Sequence, residues 1–436
     1  MSFYSGDNDF EPSISIFTDN FTAQWSQPCR EFELQEILLA TENFKDLLVI
    51  GSGGFGKVYK GDVLVGTIHV AAAIKRLDLM SNQGAVEFWA EVEMLSKLRH
   101  THLVSLIGYC NFDKEMILVY EYMHNGTLED HLHKLRTRLS WIDRLKICIG
   151  VARGLDYLHT GTGVEFGVIH RDVKSSNILL HECWAAKISD FGLSRIGPTN
   201  QPLTYVNTLV KGTFGYLDPN YFATGKLTRK SDVYAFGVVL FEVLCQKRPL
   251  DKSLEWGLAR WAQDSINEGN LKNIVDSDIR CEISPKCLKE FARIAERCLN
   301  NPPKHRPTMT EVVFTLESVL NLQQKTNNWL QTPGKSIFNR MVDAFPFSSL
   351  ENSGMGFQFL MSKKRPKKWF ILQNESQFSK AKLKTITAGS VRAFSAEMHE
   401  KASQNHARSG IIGRGDYGNM YMALWDYYKH YKKNII

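Results

Sequence analysis

The chain has 436 residues, 43% of them apolar and 23% charged, with a formal net charge of +7. That composition suits a globular protein of two or three domains, and the modest basic surplus reads as solvated surface, not as a nucleic-acid footprint. No stretch reaches the roughly 20 apolar residues of a membrane helix; the acidic start "MSFYSGDNDFEP" is neither a secretory signal nor a Met-Gly myristoylation site; and eight scattered cysteines without a CxxC pair read as reduced thiols.

Residues 1–29 are polar and aperiodic, a leader. "REFELQEILLATENF" (30–44) predicts a short amphipathic helix with Leu34, Ile37 and Leu38 on one face. Strand-like runs follow in "LLVIG", "GKVYKGDVL" and "HVAAAIKRL", then a helix in "GAVEFWAEVEMLSKLRH", then two apolar runs around "LVSLIGYC" and "MILVYEYM". From about 126 the period is mainly helical, broken by "VIHRDVKSSNILL" and "AAKISDFG", and "GVVLFEVL" suits a buried helix. A β half before an α half predicts an α+β protein with two lobes. After 322 the character changes: 323–391 reads as a linker of uncertain structure, with "KKRPKK" at 363–368 as a solvated basic loop or an anion-binding or targeting cluster.

The chain repeats itself. Residues 392–421 align without gaps to 30–59 at an offset of 362, with Phe394 on Phe32, Ala402 on Ala40, Asn405 on Asn43, and Gly413, Gly415 and Gly418 on Gly51, Gly53 and Gly56.

Gly51, Gly53 and Gly56 form G-x-G-x-x-G. They run into the β-branched and aromatic stretch "KVYKG", so they join two strands, whereas a dinucleotide site needs a helix after the glycines. Such a turn lets backbone N–H groups approach a phosphate chain, and Val58 adds an apolar surface for a flat base; a purely structural hairpin is the alternative. Lys75 follows Gly56 by 19 residues and ends an apolar strand. Glu91 lies three residues after Phe88 and four before Leu95, so it shares the core-facing stripe of its helix. A carboxylate there needs a partner, and a Lys75–Glu91 pair supplies one; a surface pair is the alternative. Asn177 stands five residues after Asp172, and Asp190 follows after a short hairpin, which makes oxygen ligation for Mg²⁺.

The ordered set "GSGGFGKV", "AAIK", "HRDVKSSN", "DFG", "GTFGYLDPN", "SDVYAFG" and "HRP" resembles eukaryotic protein kinases across 44–322. "FELQEILLATENF", "RHTHLVSLIGYC" and "GYLDPNYFATGKLTRKSDVYAFGVVLFEVL" narrow the likeness to plant receptor-like kinases of the FERONIA kind, in the Pelle group. The resemblance implies a two-lobed fold, a small antiparallel β lobe with one helix and a larger α lobe. It implies ATP and Mg²⁺ as cofactors, protein substrates, and a serine/threonine kinase with autophosphorylation, because Lys174 follows Asp172 by two. Dual specificity is open, and a weakly active nucleotide-binding scaffold is the alternative.

By the same resemblance, Asp172 accepts or orients the substrate proton, Lys174 steadies the γ-phosphate, and Asn177 and Asp190 hold the metal. Ile50, Gly51, Ser52, Gly53, Gly54, Phe55, Gly56 and Val58 cover the nucleotide, Ala73 borders it, and Lys75, held by Glu91, binds its α- and β-phosphates. Tyr120 guards the adenine pocket, the backbones of Glu121 and Met123 bind the base, and Asp232 braces the catalytic loop. Thr204, Tyr205, Thr208 and Thr213 are candidate activation-segment sites facing Arg171; Thr208 is favoured, and Thr213 reads mainly as the groove floor.

Two departures stand out. Asn220 occupies the place of the usual glutamate opposite Arg306, so Arg306 is expected to be left partly unpaired. The repeat has no second "HRD" or "DFG", so 392–436 reads as a truncated beginning of a second kinase-like unit without catalysis of its own. With no membrane span, a cytoplasmic form is expected, with a membrane receptor or co-receptor as a possible partner beneath the plasma membrane.

Overall fold

The computed structural model describes residues 29–53, 56–78, 82–135, 138–161, 166–198, 205–254 and 256–331, together with 414–415 and 418–419. Gly54, Phe55 and Thr204 lie outside the described residues, as do the basic cluster 363–368 and most of 392–436. The chain divides into two units, Met1–Thr332 and Pro333–Ile436.

The first unit opens with β1 (Arg30–Glu31) and α1 (Leu34–Ala40), then β2 (Val49–Gly53), β3 (Gly56–Val65), β4 (Ile68–Leu77), α2 (Asn82–Lys97), β5 (Leu106–Phe112) and β6 (Glu115–Glu121). The strands form one sheet in the order β1-β5-β6-β4-β3-β2. Alternation sorts their side chains onto two faces. Tyr59, Ala72, Ile74, Ile117 and Val119 pack with Phe32 and Ile37 on one face; Leu118 and Tyr120 join Phe88 and Leu95 of α2 on the other.

The expected helix over 30–44 is shorter than its pattern. Its first residues form β1, parallel to β5, with Arg30 opposite Gly108 and Glu31 opposite Tyr109. The Phe32 N–H donates to the Tyr109 carbonyl at 2.7 Å. A Cβ on Gly108 would sit 2.5 Å from the Phe32 ring, so this close approach needs glycine. Glu33 and Glu36 then form a capping box that starts α1, and Arg30 closes on Glu36 at 2.5 Å.

The second lobe holds α3 (Leu128–His133), α4 (Trp141–Asp156, continued as one π turn to Gly161), β7 (Phe166–Ile169), β8 (Ile178–Leu180), β9 (Ala186–Ile188), β10 (Arg195–Pro198) and β11 (Val206–Asn207). It continues through α5 (Pro219–Thr224), β12 (Lys226–Leu227), α6 (Arg229–Cys245), α7 (Gly257–Asn267), α8 (Leu271–Ile274), α9 (Pro285–Cys298) and α10 (Met309–Gln331). Helix α6 is buried along nearly its whole length, as an all-round apolar helix must be. The two-lobed α+β expectation holds: a sheet with one long helix precedes a helical lobe.

Of the stretch 323–391 expected as a linker, the described residues up to Gln331 continue α10. Gln323 is buried, accepts the Ser284 N–H at 3.0 Å and donates to the Glu282 carbonyl at 2.9 Å. That contact docks a polar-looking stretch onto the lobe. In the second unit, Arg414–Gly415 and Gly418–Asn419 pair antiparallel, with Gly415 opposite Gly418. In the first copy Gly53 stands opposite Gly56 in the same way.

Candidate active site

The glycine turn joins β2 to β3, two antiparallel strands, and not a strand to a helix. Gly56 has φ +119°, and a Cβ there would lie 2.0 Å from the Arg76 carbonyl oxygen, so the backbone requires glycine. At Gly53 a Cβ would meet nothing within 4 Å among the described residues. Strand alternation sets Val58, Ala73, Lys75 and Tyr120 on the face opposite the Tyr59–Ile74 core. Val58 stands across from Lys75, and Ala73 from Tyr120. Ile50 and Ser52 are exposed at the mouth, and Gly51 is half-buried.

Lys75 projects from β4 into this space. Its Nζ lies 2.9 Å from Asp190 Oδ1 and 3.4 Å from Glu91 Oε2. Glu91 is 2% exposed, and its Oε1 accepts the Phe191 N–H at 3.2 Å. Three segments, β4, α2 and the turn after β9, therefore share one ion cluster. Burial alone would favour a neutral Lys75, yet Asp190 and then Glu91 hold its pKa above the lysine range. Asp190 shows the same balance: burial pulls upward, and the Lys75 charge outweighs it, so the carboxyl stays ionised. For Glu91 burial is the larger effect and pushes it up, against Lys75. Burial, then the neighbouring Glu91 carboxylate, raises the Tyr120 phenol well above its ordinary range.

The hinge between the lobes follows β6. The Glu121 N–H donates to the Ser105 carbonyl at 3.1 Å. Its carboxylate accepts Lys187 Nζ at 2.8 Å and the Ser105 N–H at 2.7 Å. The Glu121 side chain is thus committed to structure; Met123, two residues on, is buried.

The β8–β9 hairpin brings Asn177 beside Ser189, the residue before Asp190. The two residues flank it, and Ser189 donates its N–H to the Asn177 carbonyl at 2.9 Å. Asp190 and Arg171 adopt φ +68° and +76°, left-handed conformations that cost roughly 1–3 kcal/mol each for non-glycine residues. Asp232, buried on α6, over-determines this loop: it accepts the His170 N–H at 2.8 Å and the Arg171 N–H at 2.7 Å, and meets His159 at 2.9 Å.

Around Asp172 the structure gathers Lys174, Asn177 and Thr213. Lys174 Nζ lies 2.9 Å from Asp172 Oδ2, and Asn177 Nδ2 donates to the Asp172 carbonyl at 2.9 Å. Thr213 donates both its N–H, at 2.9 Å, and its hydroxyl, at 2.7 Å, to Asp172 Oδ1, while Lys174 donates to the Thr213 hydroxyl at 3.0 Å. A phosphate on Thr213 would face the Asp172 carboxylate. Thr208 lies elsewhere on the segment, its hydroxyl 3.4 Å from Arg171 Nη2.

The Asn220 departure has an outcome opposite to that expected. Arg306 is not left unpaired: Asp218, two residues earlier, receives it bidentately at 2.7 and 2.8 Å, with both side chains buried. Asp218 also accepts the Asn220 N–H as the cap of α5. The sequence carried a signal for that carboxylate, since Asp before Pro is a helix-start pattern, but nothing local pointed to Arg306, 88 residues away. Tyr221, whose hydroxyl reaches Arg171, gave no signal either.

Asp190 and Asn177 suit a hard cation such as Mg²⁺, since both offer oxygens and Asp190 is held ionised. Among the described residues no group of three or more His, Cys, Asp or Glu could hold a metal by itself. An ion here would take further ligands from a bound phosphate chain. Among the same residues no helix is long and apolar enough to cross a membrane.

A family model described as protein tyrosine and serine/threonine kinase matches residues 45–316. Among curated relatives, the receptor-like protein kinase FERONIA of Arabidopsis thaliana is 54% identical over 303 residues, covering 69% of this chain and 33% of FERONIA. ANXUR1 of the same plant is 53% identical over 300 residues, 68% of this chain and 35% of ANXUR1. HERK 1 is 53% identical over 289 residues, 65% of this chain and 34% of HERK 1. The chain thus spans about a third of the length of the curated relatives it matches. Its two lobes, its ion cluster and that match show that the chain belongs to the protein tyrosine and serine/threonine kinase family, where it is similar to receptor-like kinases.

Proposed function

We propose that this protein is a Mg·ATP-dependent kinase that phosphorylates serine and threonine hydroxyls of proteins and its own activation segment. One arrangement carries the reading: Lys75 pairs with both Glu91 and Asp190, and the Ser189–Asn177 hydrogen bond links the turn holding Asp190 to the cluster of Asp172, Lys174, Asn177 and Thr213. When bound, Mg·ATP supplies the transferable phosphoryl group. The chain's residues do the positioning. Lys75 offers its ammonium to phosphate oxygens, and Glu91 keeps it aimed. Asp190 and Asn177 present oxygens to the metal. Asp172, oriented by Thr213 and Asn177, receives or directs the proton of the incoming hydroxyl, and Lys174 places a positive charge where negative charge develops. Thr208, beside Arg171, is the favoured autophosphorylation site. Protein substrates are the partners, with a membrane receptor or co-receptor as the upstream one, and the catalytic unit works on the cytoplasmic side. Domain limits of 44–322 for the kinase and 392–436 for the repeat belong to the same proposal, with the kinase lobe extended by α10.

Radiolabelled phosphate transfer to a generic basic protein, followed by phosphoamino-acid analysis, tests this. Wild-type protein should label serine and threonine, and Asp172→Asn should lower the rate at least about a hundredfold, the usual size of general acid–base contributions. Equal rates in the two proteins would overturn the reading.

A further inference from the structure

Tyr221 is 1% exposed on α5, packed with Ile169 and Leu227. Its hydroxyl has one donor and two lone pairs, and four contacts crowd onto them. It donates to the Leu209 carbonyl at 3.0 Å. It accepts Arg171 Nη2 at 2.7 Å, Arg171 Nε at 3.1 Å and the Lys211 N–H at 3.2 Å. Arg171 adjoins Asp172, while Leu209 and Lys211 lead directly to Thr213, which binds Asp172 from the other side. One phenol oxygen therefore ties the catalytic loop to the segment that orients the Asp172 carboxylate. Its own place is rigid, because α5 begins at Asp218, which is anchored by Arg306 and by Ser231.

Asp232 holds the Arg171 backbone, whereas its guanidinium has few anchors besides the phenol. Nη2 also reaches the Leu209 carbonyl, and Thr208 at 3.4 Å, whereas the buried Nη1 has no hydrogen-bond partner among the described residues. Among the described residues the acceptors of its guanidinium are neutral oxygens, so the join does not rest on a carboxylate.

We propose that the Tyr221 hydroxyl is a positioning group: by holding Arg171, Leu209 and Lys211 together it keeps Thr213 against Asp172 before any phosphate is present on the segment. This rests on the kinase reading above. A phosphate on Thr208 would give Arg171 a second anchor, so the phenol matters most in the unphosphorylated protein.

The test is Tyr221→Phe in the full chain, which keeps the ring and its packing. Hydrogen exchange across 206–213 should become about tenfold faster, the size of one or two lost hydrogen bonds, with 229–245 unchanged. In phosphatase-treated protein, kcat/KM for a protein substrate should fall about tenfold while KM for ATP stays within about twofold, and Arg171→Lys should mask the effect. After autophosphorylation the loss should shrink. Unchanged exchange across 206–213, exchange quickened equally across 229–245, or losses that add fully to those of Arg171→Lys would each overturn the proposal. A wild-type protein without phosphate transfer would instead sink the kinase reading, and the exchange arm would still decide whether Tyr221 ties loop to segment.

Discussion

Arg306 has five N–H donors, and each finds an acceptor: Nε the Asn300 carbonyl, Nη1 Asp218 and the Lys230 carbonyl, Nη2 Asp218 and the Asn301 carbonyl. A glutamate at 220 would therefore find no donor of Arg306 vacant. Asn220→Glu should leave Tm unaltered, whereas Asp218→Asn should cost about 3 kcal/mol by stranding a buried guanidinium; calorimetry on both variants checks this, and a higher Tm for Asn220→Glu would show that Arg306 still has a donor to spare. His100 makes a pH argument. Burial, then His102, Arg153 and Lys187, lower its pKa to about 4, against about 6.5 in an unfolded chain. Between those values the unfolded state binds a proton that the folded state refuses, so stability falls as pH drops from about 6.5 toward 4. His100→Phe keeps the stack on Tyr157, at 4.7 Å, and removes the titration. The Tm difference between pH 7 and pH 4.5 should shrink; an identical difference would refute the assignment.

At the scale of elements, the segment 29–44 acts as a strap. It adds β1 to the edge of the sheet and buries Phe32 and Ile37 on the face away from α2. Phe32→Ala should destabilise the protein by roughly 3–4 kcal/mol, measured by denaturant unfolding, since the ring also fills the space that Gly108 leaves; a loss below about 1 kcal/mol would mean that the strap is dispensable. The helix was legible because Leu34, Ile37 and Leu38 repeat at helical spacing. The strand was not, because two residues show no period and their partners lie 78 residues further on. The repeat gains meaning from these roles. Phe394, Ala402, Gly418 and Tyr421 keep the counterparts of Phe32, Ala40, Gly56 and Tyr59, but Ile37 is replaced by His399 and Leu34 by Ala396. The second copy retains the turn and loses much of the apolar face that docks the first.

At the scale of the molecule, two lobes meet at a hinge whose Glu121 is tied to Lys187, and the cleft charges come from both lobes. Phosphorylation of Thr208 would place a dianion beside Arg171, whose Nη1 is buried without a hydrogen-bond partner among the described residues. Thr208→Ala should lower autophosphorylation and substrate turnover several-fold without changing Tm, checked by phosphotransfer rates and calorimetry; wild-type rates would discard the site. The sequence by itself determined the chemistry on offer: a glycine hairpin, a lysine at a strand end, a carboxylate on a core-facing stripe, and an acid with an amide five residues on. Those are readable because strand alternation, helical spacing and turn preference act over a few residues. Only the tertiary structure decided who meets whom. The expected Lys75–Glu91 pair forms, but Lys75 reaching Asp190 as well, Arg306 taken by Asp218, and Tyr221 binding Arg171 join groups 50 to 115 residues apart, and such pairings follow from how buried helices and loops pack, which no local pattern records.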